Sequence, residues 1–239
     1  MRIKTAVILA AGRGSRFKKF TEDKPKGFVE VKGKPMIIRS IETLLACGIK
    51  RIIIGTGYLA EKYDELKAIY PQVETCFSPK HAETNSMVTL YNLRNLLKDG
   101  EDFLMLDSDI IFDKKCVELM LDTKYENCIL TAEVVKFQDQ WYIEYDENNI
   151  ITRCSTDKTD MNVGGEWVGI TRWTSKFYQK MCALVGSTLE QRPKIGYEVG
   201  LFETTDAEMP IYACKAENVV WYEIDDEKDL EYVEKHVEI

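Results

Sequence analysis

The densest run of side chains able to do chemistry comes early in the chain. Leu9-Ala10-Ala11-Gly12-Arg13-Gly14-Ser15-Arg16 follows an apolar stretch, and Lys24-Pro25-Lys26 comes shortly after it. Small residues let the backbone approach a ligand closely, and successive N–H groups turned inward form a nest for anions. Arg13, Arg16 and Lys26 add positive charge, so the segment reads as a cradle for a triphosphate. Phe17 stands where a dinucleotide fingerprint needs its third glycine. A P-loop needs Gly-x₄-Gly-Lys, which does not occur. The plainer alternative is a tight turn carrying a solvated basic loop.

A second group is acidic. Asp109 follows the apolar run Phe103–Leu106, and Asp225 follows Val219–Tyr222. Carboxylates at strand ends suit Mg²⁺, which takes one or two of them and leaves its other positions to phosphate oxygens. The competing role is helix capping, by Asp225 or Asp226 before the last helix and by Asp107 after its strand. A third group pairs an aromatic residue, Trp141, with Tyr197-Glu198 and Glu223. An aromatic face with carboxylates nearby can hold a small cation. Trp167, Trp173 and Trp221 read as core residues.

These groups need a frame. Thr5–Leu9 reads as a buried strand, and Pro35 opens a helix whose Ile37, Ile38, Ile41, Leu44 and Leu45 share a face until Gly48. Strand Arg51–Gly57, helix Leu59–Ile69, strand Val73–Phe77, helix Asn85–Lys98 and strand Phe103–Leu106 follow, with Thr84 or Asn85 capping the second of these helices. Continuous apolar strands joined by helices predict a parallel sheet covered on both faces, with its ligand crevice at the carboxyl ends of the strands. The loops after residues 9, 57 and 106 are therefore expected to face one crevice. After Cys128 the pattern alternates, through Lys136, Trp141–Tyr145 and Ile150–Arg153, as in an antiparallel meander. Short strands at Val168–Ile170, Met209–Lys215 and Val219–Tyr222, a helix at Ser175–Val185 and a closing helix at Asp226–Val237 complete the pattern.

Composition narrows the function classes. The 239 residues carry 32 basic and 40 acidic side chains, a net charge of −8 with no basic stripe, so a nucleic-acid partner is not expected. An anionic substrate then needs a local basic loop or a metal ion. No apolar run is long enough for a membrane span, and the apolar part of the N-terminus is too short for a secretion signal. Seven scattered cysteines without C-x₂-C spacing read as reduced thiols of a cytoplasmic protein, and two histidines leave no multi-histidine metal site. One domain over 1–239 is expected, with 1–125 as its nucleotide-binding half and 126–239 supplying the acceptor wall and the closing helix.

Leu-Ala-Ala-Gly-x-Gly-x-Arg followed by Lys-Pro-Lys resembles the signature of the nucleotidyltransferases that activate small phosphates with a nucleoside triphosphate. The resemblance extends over nearly the whole chain. Gly57-Tyr58, Asp107-Ser108-Asp109 and Tyr222-Glu223-Ile224-Asp225 stand where that family carries its site. Length and the stretch Thr84-Asn85-Ser86-Met87-Val88-Thr89-Leu90 look most like the bacterial cytidylyltransferases for phosphocholine and 2-aminoethylphosphonate. The phosphocholine enzymes tend to carry Asn-Asn-x-x-Ser-Leu at this point, which the present stretch does not match.

The resemblance implies an α/β fold, a mixed and mostly parallel sheet flanked by helices in the Rossmann-like nucleotidyltransferase manner, with a small antiparallel meander in the second half. It also implies the roles. Lys26 and Arg16 act in catalysis. Leu9, Ala10, Ala11, Gly12, Gly14, Ser15, Tyr58, Asn85, Ser86 and Asp107 hold CTP. Trp141, Lys158, Tyr197, Glu198 and Glu223 hold the acceptor, a small cationic phosphonate or phosphate, with Lys158 on its phosphate. Asp109 and Asp225 hold Mg²⁺. One tryptophan set against two acids, Glu198 and Glu223, points to the primary ammonium of 2-aminoethylphosphonate over phosphocholine. The rival readings are a sugar-1-phosphate nucleotidyltransferase and a non-catalytic nucleotide sensor. Whether the chain forms a homo-oligomer is left open.

Overall fold

The computed structural model describes residues 3–135 and 140–239. The strands are β1 Thr5–Ala10, β2 Glu30–Val31, β3 Lys34–Pro35, β4 Arg51–Thr56, β5 Val73–Phe77, β6 Phe103–Asp107, β7 Ile110–Phe112, β8 Cys128–Ala132, β9 Tyr142–Tyr145, β10 Ile151–Ser155, β11 Gly165–Trp173, β12 Tyr212–Lys215 and β13 Trp221–Glu223. The α-helices are α1 Met36–Ala46, α2 Ala60–Glu65, α3 Ser86–Asn92, α4 Lys114–Asp122, α5 Ser175–Gly186, α6 Tyr197–Thr204 and α7 Glu227–His236.

All six residues of β1 are buried, and it lies between parallel neighbours β4 and β6, with β5 beyond β4. Successive side chains of a strand point to opposite faces. Ala6 and Ile8 accordingly join a core with Ile37, Ile41 and Leu44 of α1 and Val117 and Met120 of α4. Val7 and Leu9 join the opposite core, with Met87 and Leu90 of α3, Phe177 and Met181 of α5 and Leu201 of α6. Both faces are covered, as the continuous apolar runs predict. Gly48 closes α1, its N–H bonded to Leu45 O at 3.0 Å.

The order β10-β9-β11-β6-β1-β4-β5 places the seam between the halves at β11, which runs antiparallel to β6. β8 pairs antiparallel with the same strand, and β12 pairs parallel with β8. A third core, of Phe17, Val29, Val31, Met36, Ile111, Tyr222, Ile224 and Val233, lies under the small β7–β13 ladder and α7. It carries two loops that matter below, those of Lys26 and Asp225.

Several elements differ from expectation. The helix expected at Leu59–Ile69 is α2 followed by a 3₁₀ turn at Leu66–Ala68, and that at Asn85–Lys98 is α3 followed by a 3₁₀ turn at Leu93–Asn95. Asn85 is the cap of α3, its Oδ1 accepting from Ser86 N at 2.8 Å. β8 is buried at every position and does not alternate, because Cys128, Leu130 and Ala132 pack into one core and Ile129 into the opposite one. The expected end of that strand at Lys136 lies outside the described residues. β11 runs for nine residues where three were expected. Its Gly169 has φ +80, and its pairing with β8 shifts register between Trp167 and Thr171, which hides the strand pattern. α4, capped by Asp113, and α6 were not anticipated. No described helix is long and apolar enough to cross a membrane.

Candidate functional site

A cavity of about 700 Å³ opens at the carboxyl ends of β1 and β6. One wall is the loop after β1. Gly14 adopts φ +67 at the head of the 3₁₀ segment Ser15–Thr21. A Cβ there would lie 2.9 Å from the Cβ of Lys26. Glycine is thus required twice, by its left-handed backbone and by the stem of Lys26 beneath it. Lys26 begins a short 3₁₀ turn immediately after Pro25 and is only 8% exposed.

The Lys26 ammonium lies 2.5 Å from Asp109 Oδ2 and 2.9 Å from Asp225 Oδ1, and Arg16 Nη2 reaches the same Asp225 oxygen at 2.7 Å. Burial pulls the pKa of Lys26 down, and the charges of Asp109 and Asp225 more than reverse this, leaving it above the ordinary lysine value. The two aspartates meet because β7 and β13 form a ladder, extended by Ile224 N–H donating to Asp109 O at 2.9 Å. The capping role falls to the neighbour: Asp226 Oδ1 accepts from Lys228 N and Asp229 N at the start of α7. Asp225 is left to line the cavity, 6% exposed.

Glu223 belongs with this pair. Carboxylate oxygens of Asp109, Glu223 and Asp225 lie within 4.8 Å of one another. Three convergent oxygens of this kind are a donor set suited to a hard divalent cation such as Mg²⁺. Glu223, expected on the acceptor, ends β13 opposite Ile110 and stands beside the aspartates on the lining of the same cavity.

The middle of the cavity holds Asp107. Tyr197 donates its hydroxyl proton to Asp107 Oδ2 at 2.8 Å. Burial, then the charges of Asp109 and Glu198, push the Asp107 carboxyl well above the usual range. A Cβ at Gly169 would approach that carboxylate to 3.1 Å.

The far end is aromatic. Trp141, Trp167 and Tyr197 line it, with Glu198 and Thr156. Trp167 is 6% exposed and meets Tyr197 edge-on, with centroids 5.6 Å apart. Its indole N–H is buried without a hydrogen-bond partner among the described residues. Its backbone N–H donates to Trp141 O at 3.0 Å, so the two tryptophans are held side by side. Burial, and then the Asp109 charge, raise Glu198 to about 7.

Most of the residues singled out in the sequence line this cavity: Leu9, Ala11, Gly12, Gly14, Ser15, Arg16, Lys26, Asn85, Ser86, Asp107, Asp109, Trp141, Tyr197, Glu198, Glu223 and Asp225. Three do not. Ala10 is enclosed within β1. Tyr58 turns away, its hydroxyl donating to Thr21 O at 3.0 Å and Glu22 O at 2.9 Å, while its N–H donates to Ala11 O. It braces the loop after β1 from behind, so the segment after residue 57 supports the crevice wall. Lys158 is exposed and lies with its Nζ 5.3 Å from the Tyr142 ring centroid, outside the cavity. Asn85 lines the wall, but both ends of its amide are used, Oδ1 in the cap and Nδ2 on Lys194 O at 3.3 Å.

Sequence reasoning missed Trp167, Gly169, His81, Thr89 and Thr156 as lining residues. Trp167 carries the most chemistry. The only local sign of it is Gly164-Gly165-Glu166-Trp167, small residues before an aromatic one.

Comparison with known proteins agrees with this geometry. The model of the MobA-like NTP transferase domain matches residues 6–146. The choline-phosphate cytidylyltransferase of Streptococcus pneumoniae is 27% identical over 96% of both chains. The 2-aminoethylphosphonate cytidylyltransferase of Lancefieldella rimae is 26% identical over 65% of this chain and 62% of its own. The solved CTP:phosphocholine cytidylyltransferase from Streptococcus pneumoniae superposes with a TM-score of 0.82 at 26% identity, covering 98% of this chain and 99% of that one. With its glycine loop over a buried lysine and its carboxylates gathered at the same crevice, the chain belongs to the MobA-like NTP transferase family and is a nucleotidyltransferase.

Proposed function

We propose that the chain is a cytidylyltransferase that transfers CMP from CTP to phosphocholine, giving CDP-choline and pyrophosphate. The aromatic end of the cavity carries the choice of acceptor. A quaternary ammonium has no N–H to donate and is held by aromatic faces. The preference for a primary ammonium rested on one tryptophan facing two acids and on the stretch Asn85-Ser86-Met87, which departs from the phosphocholine pattern and still counts for the other acceptor. Among the described residues two tryptophans and Tyr197 line this end beside Glu198, while Glu223 lies with the aspartates. The relative from Streptococcus pneumoniae, similar over 96% of both chains, supports the same acceptor.

In this reading the acceptor phosphate oxygen attacks the α-phosphorus in line. The bond to the bridging oxygen of the β-phosphate breaks, and the electron pair leaves with pyrophosphate. No protein nucleophile is involved, so catalysis is positioning and charge stabilisation. The backbone N–H groups of Ala11–Gly14 and the Arg16 guanidinium bind the β- and γ-phosphates. Lys26 stabilises the charge that develops at the α-phosphate. Asn85 and Ser86 wall the base. Asp109 and Asp225, joined by Glu223, hold a divalent cation, which when bound offsets the negative charge of the phosphates.

One observation favours a second reading. Glu198, an acid whose pKa is raised to about 7, stands beside the aromatic wall. As a carboxylate it would accept hydrogen bonds from the primary ammonium of 2-aminoethylphosphonate. Pyrophosphate release should be followed with CTP and Mg²⁺ at equal concentrations of the two acceptors. A higher kcat/KM for phosphocholine is expected; a higher value for the aminophosphonate reverses the assignment. Comparable turnover of UTP in place of CTP would remove the cytidylyltransferase reading, and comparable turnover of a sugar 1-phosphate would remove the small cationic acceptor.

A further inference from the structure

Telling cytosine from uracil needs a group at the base end of the main cavity that only accepts, or only donates. Cytosine presents its N4 amine, a donor, where uracil presents O4, an acceptor. Asn85 has both ends of its amide engaged. The hydroxyls of Thr84 and Ser86 line the cavity too, but a hydroxyl rotates to donate or to accept and suits either base. His81 is different. It lines the same cavity, half-buried, in the turn after β5. Trp141 and Trp167 stand at β9 and β11, on one side of β1 in the sheet order, and β5 is the edge on the other side. With the acceptor on one side of the loop after β1, the base falls to the other, toward β5.

The imidazole is held by its surroundings. Its Nδ1 lies 3.0 Å from Ser78 O, and the backbone N–H of His81 donates to the same carbonyl at 3.1 Å. Ser78 is itself fully buried and fixed: its N–H donates to Thr56 O at 2.8 Å, and its hydroxyl accepts from Asn92 Nδ2 at 3.0 Å. Phe77 meets the ring edge-on, with centroids 5.8 Å apart. Gly57 makes room for it, since a Cβ there would lie 2.6 Å from both Cβ and Cγ of His81. A carbonyl only accepts, so Nδ1 carries the ring proton. In the neutral ring Nε2 is then an acceptor and cannot donate. It has no hydrogen-bond partner among the described residues.

We propose that His81 selects cytosine over uracil, its Nε2 accepting a hydrogen bond from the N4 amine of the bound nucleotide. The assignment rests on the cytidylyltransferase reading and names the residue that enforces it. With uracil in the same place, Nε2 and O4 are two acceptors face to face with no proton between them. The turn is anchored through Ser78, so the ring cannot trade its Nδ1–H to suit the wrong base without giving up that anchor.

The test measures pyrophosphate release from CTP, UTP and the pyrimidinone analogue of CTP that lacks the N4 amine. Mg²⁺, phosphocholine and 2-aminoethylphosphonate are all present, so that acceptor choice does not enter. The unmutated protein should use the analogue about tenfold less well than CTP, as kcat/KM. His81→Phe keeps a ring without the acceptor, and should use CTP and the analogue equally well. Its CTP:UTP ratio of kcat/KM should fall by about tenfold. His81→Gln can turn either end of its amide to the base, and its ratio should fall through a gain on UTP. An unmutated protein that uses CTP and the analogue equally, or a His81→Phe variant that keeps the original CTP:UTP ratio, overturns the role of His81 and leaves the cytidylyltransferase reading standing. An unmutated protein that uses UTP as well as CTP removes that reading, and the role of His81 with it. The comparison of CTP with the analogue needs no variant and decides the matter even where a variant does not fold.

Discussion

The two ends of the main cavity are built on opposite principles. At the phosphate end, four charged side chains already satisfy one another: Arg16 and Lys26 lie within 2.9 Å of carboxylate oxygens of Asp109 and Asp225. At the acceptor end, aromatic walls offer area, and the buried indole N–H of Trp167 has no partner among the described residues. Charges fixed in advance pay off where charge develops during reaction, since they need not reorganise then. Aromatic area acts equally on bound substrate and transition state, so it governs KM more than kcat. Variants at the two ends should separate along these lines.

The largest effect is expected from Lys26→Ala. Turnover should fall by on the order of 10²–10³, with a smaller change in the KM for nucleotide. Near-normal turnover would show the charged end to be structural only. Next come Asp109→Asn and Asp225→Asn, each lowering kcat/KM by roughly 10²-fold, and excess chelator, which should abolish activity. Activity that survives the chelator would break the link between these acids and a metal. At the opposite end, Trp167→Ala should raise the KM of the acceptor by about tenfold and leave the nucleotide KM unchanged. Equal changes in both would mean that the ends are not separable.

The smallest effect concerns stability. Burial raises Glu198 to about 7 from the ordinary glutamate value of 4.5, so the folded state holds its proton more tightly than the unfolded chain does. Stability is therefore lost as pH rises from 4.5 through 7. Glu198→Gln removes that loss. Its melting temperature should match the parent's near pH 4.5 and exceed it above pH 7, by roughly 2–4 °C. The same difference at both pH values would show that Glu198 does not titrate between them.

Legibility in the sequence followed the range of the interactions. The loop from Leu9 to Arg16 was readable because its glycines and charges act within a few residues of one another. Of the four parallel strands, β1, β4 and β6 were readable because each is largely an apolar run buried on both faces, and β5, half-buried at the edge, was readable from its place between helix signals. Asp225 and Asp226 could not be told apart, since capping and cavity lining differ only in which of two adjacent carboxylates turns toward the helix. The nearness of Glu223 to the aspartates was hidden for a related reason: one of its two neighbours, Asp109, comes from the turn before β7, far away in the chain. Lys158 rested on a resemblance alone, and its loop carries it to the surface. Trp167 looked like core because it is core by burial; that one face of it borders a cavity depends on the packing of α6, a short helix with no clear apolar stripe.

The hydrogen bond from Trp167 N–H to Trp141 C=O has a consequence for how this pocket can change over time. It is made entirely by the backbone, and any residue other than proline at position 167 can donate it. The spacing of the two walls is therefore independent of the side chains mounted on them. Acceptor preference can drift, or be re-engineered, by exchanging those side chains one at a time on an unaltered ladder. The buried lysine and its aspartates have no such latitude, because there the side chains themselves are the scaffold.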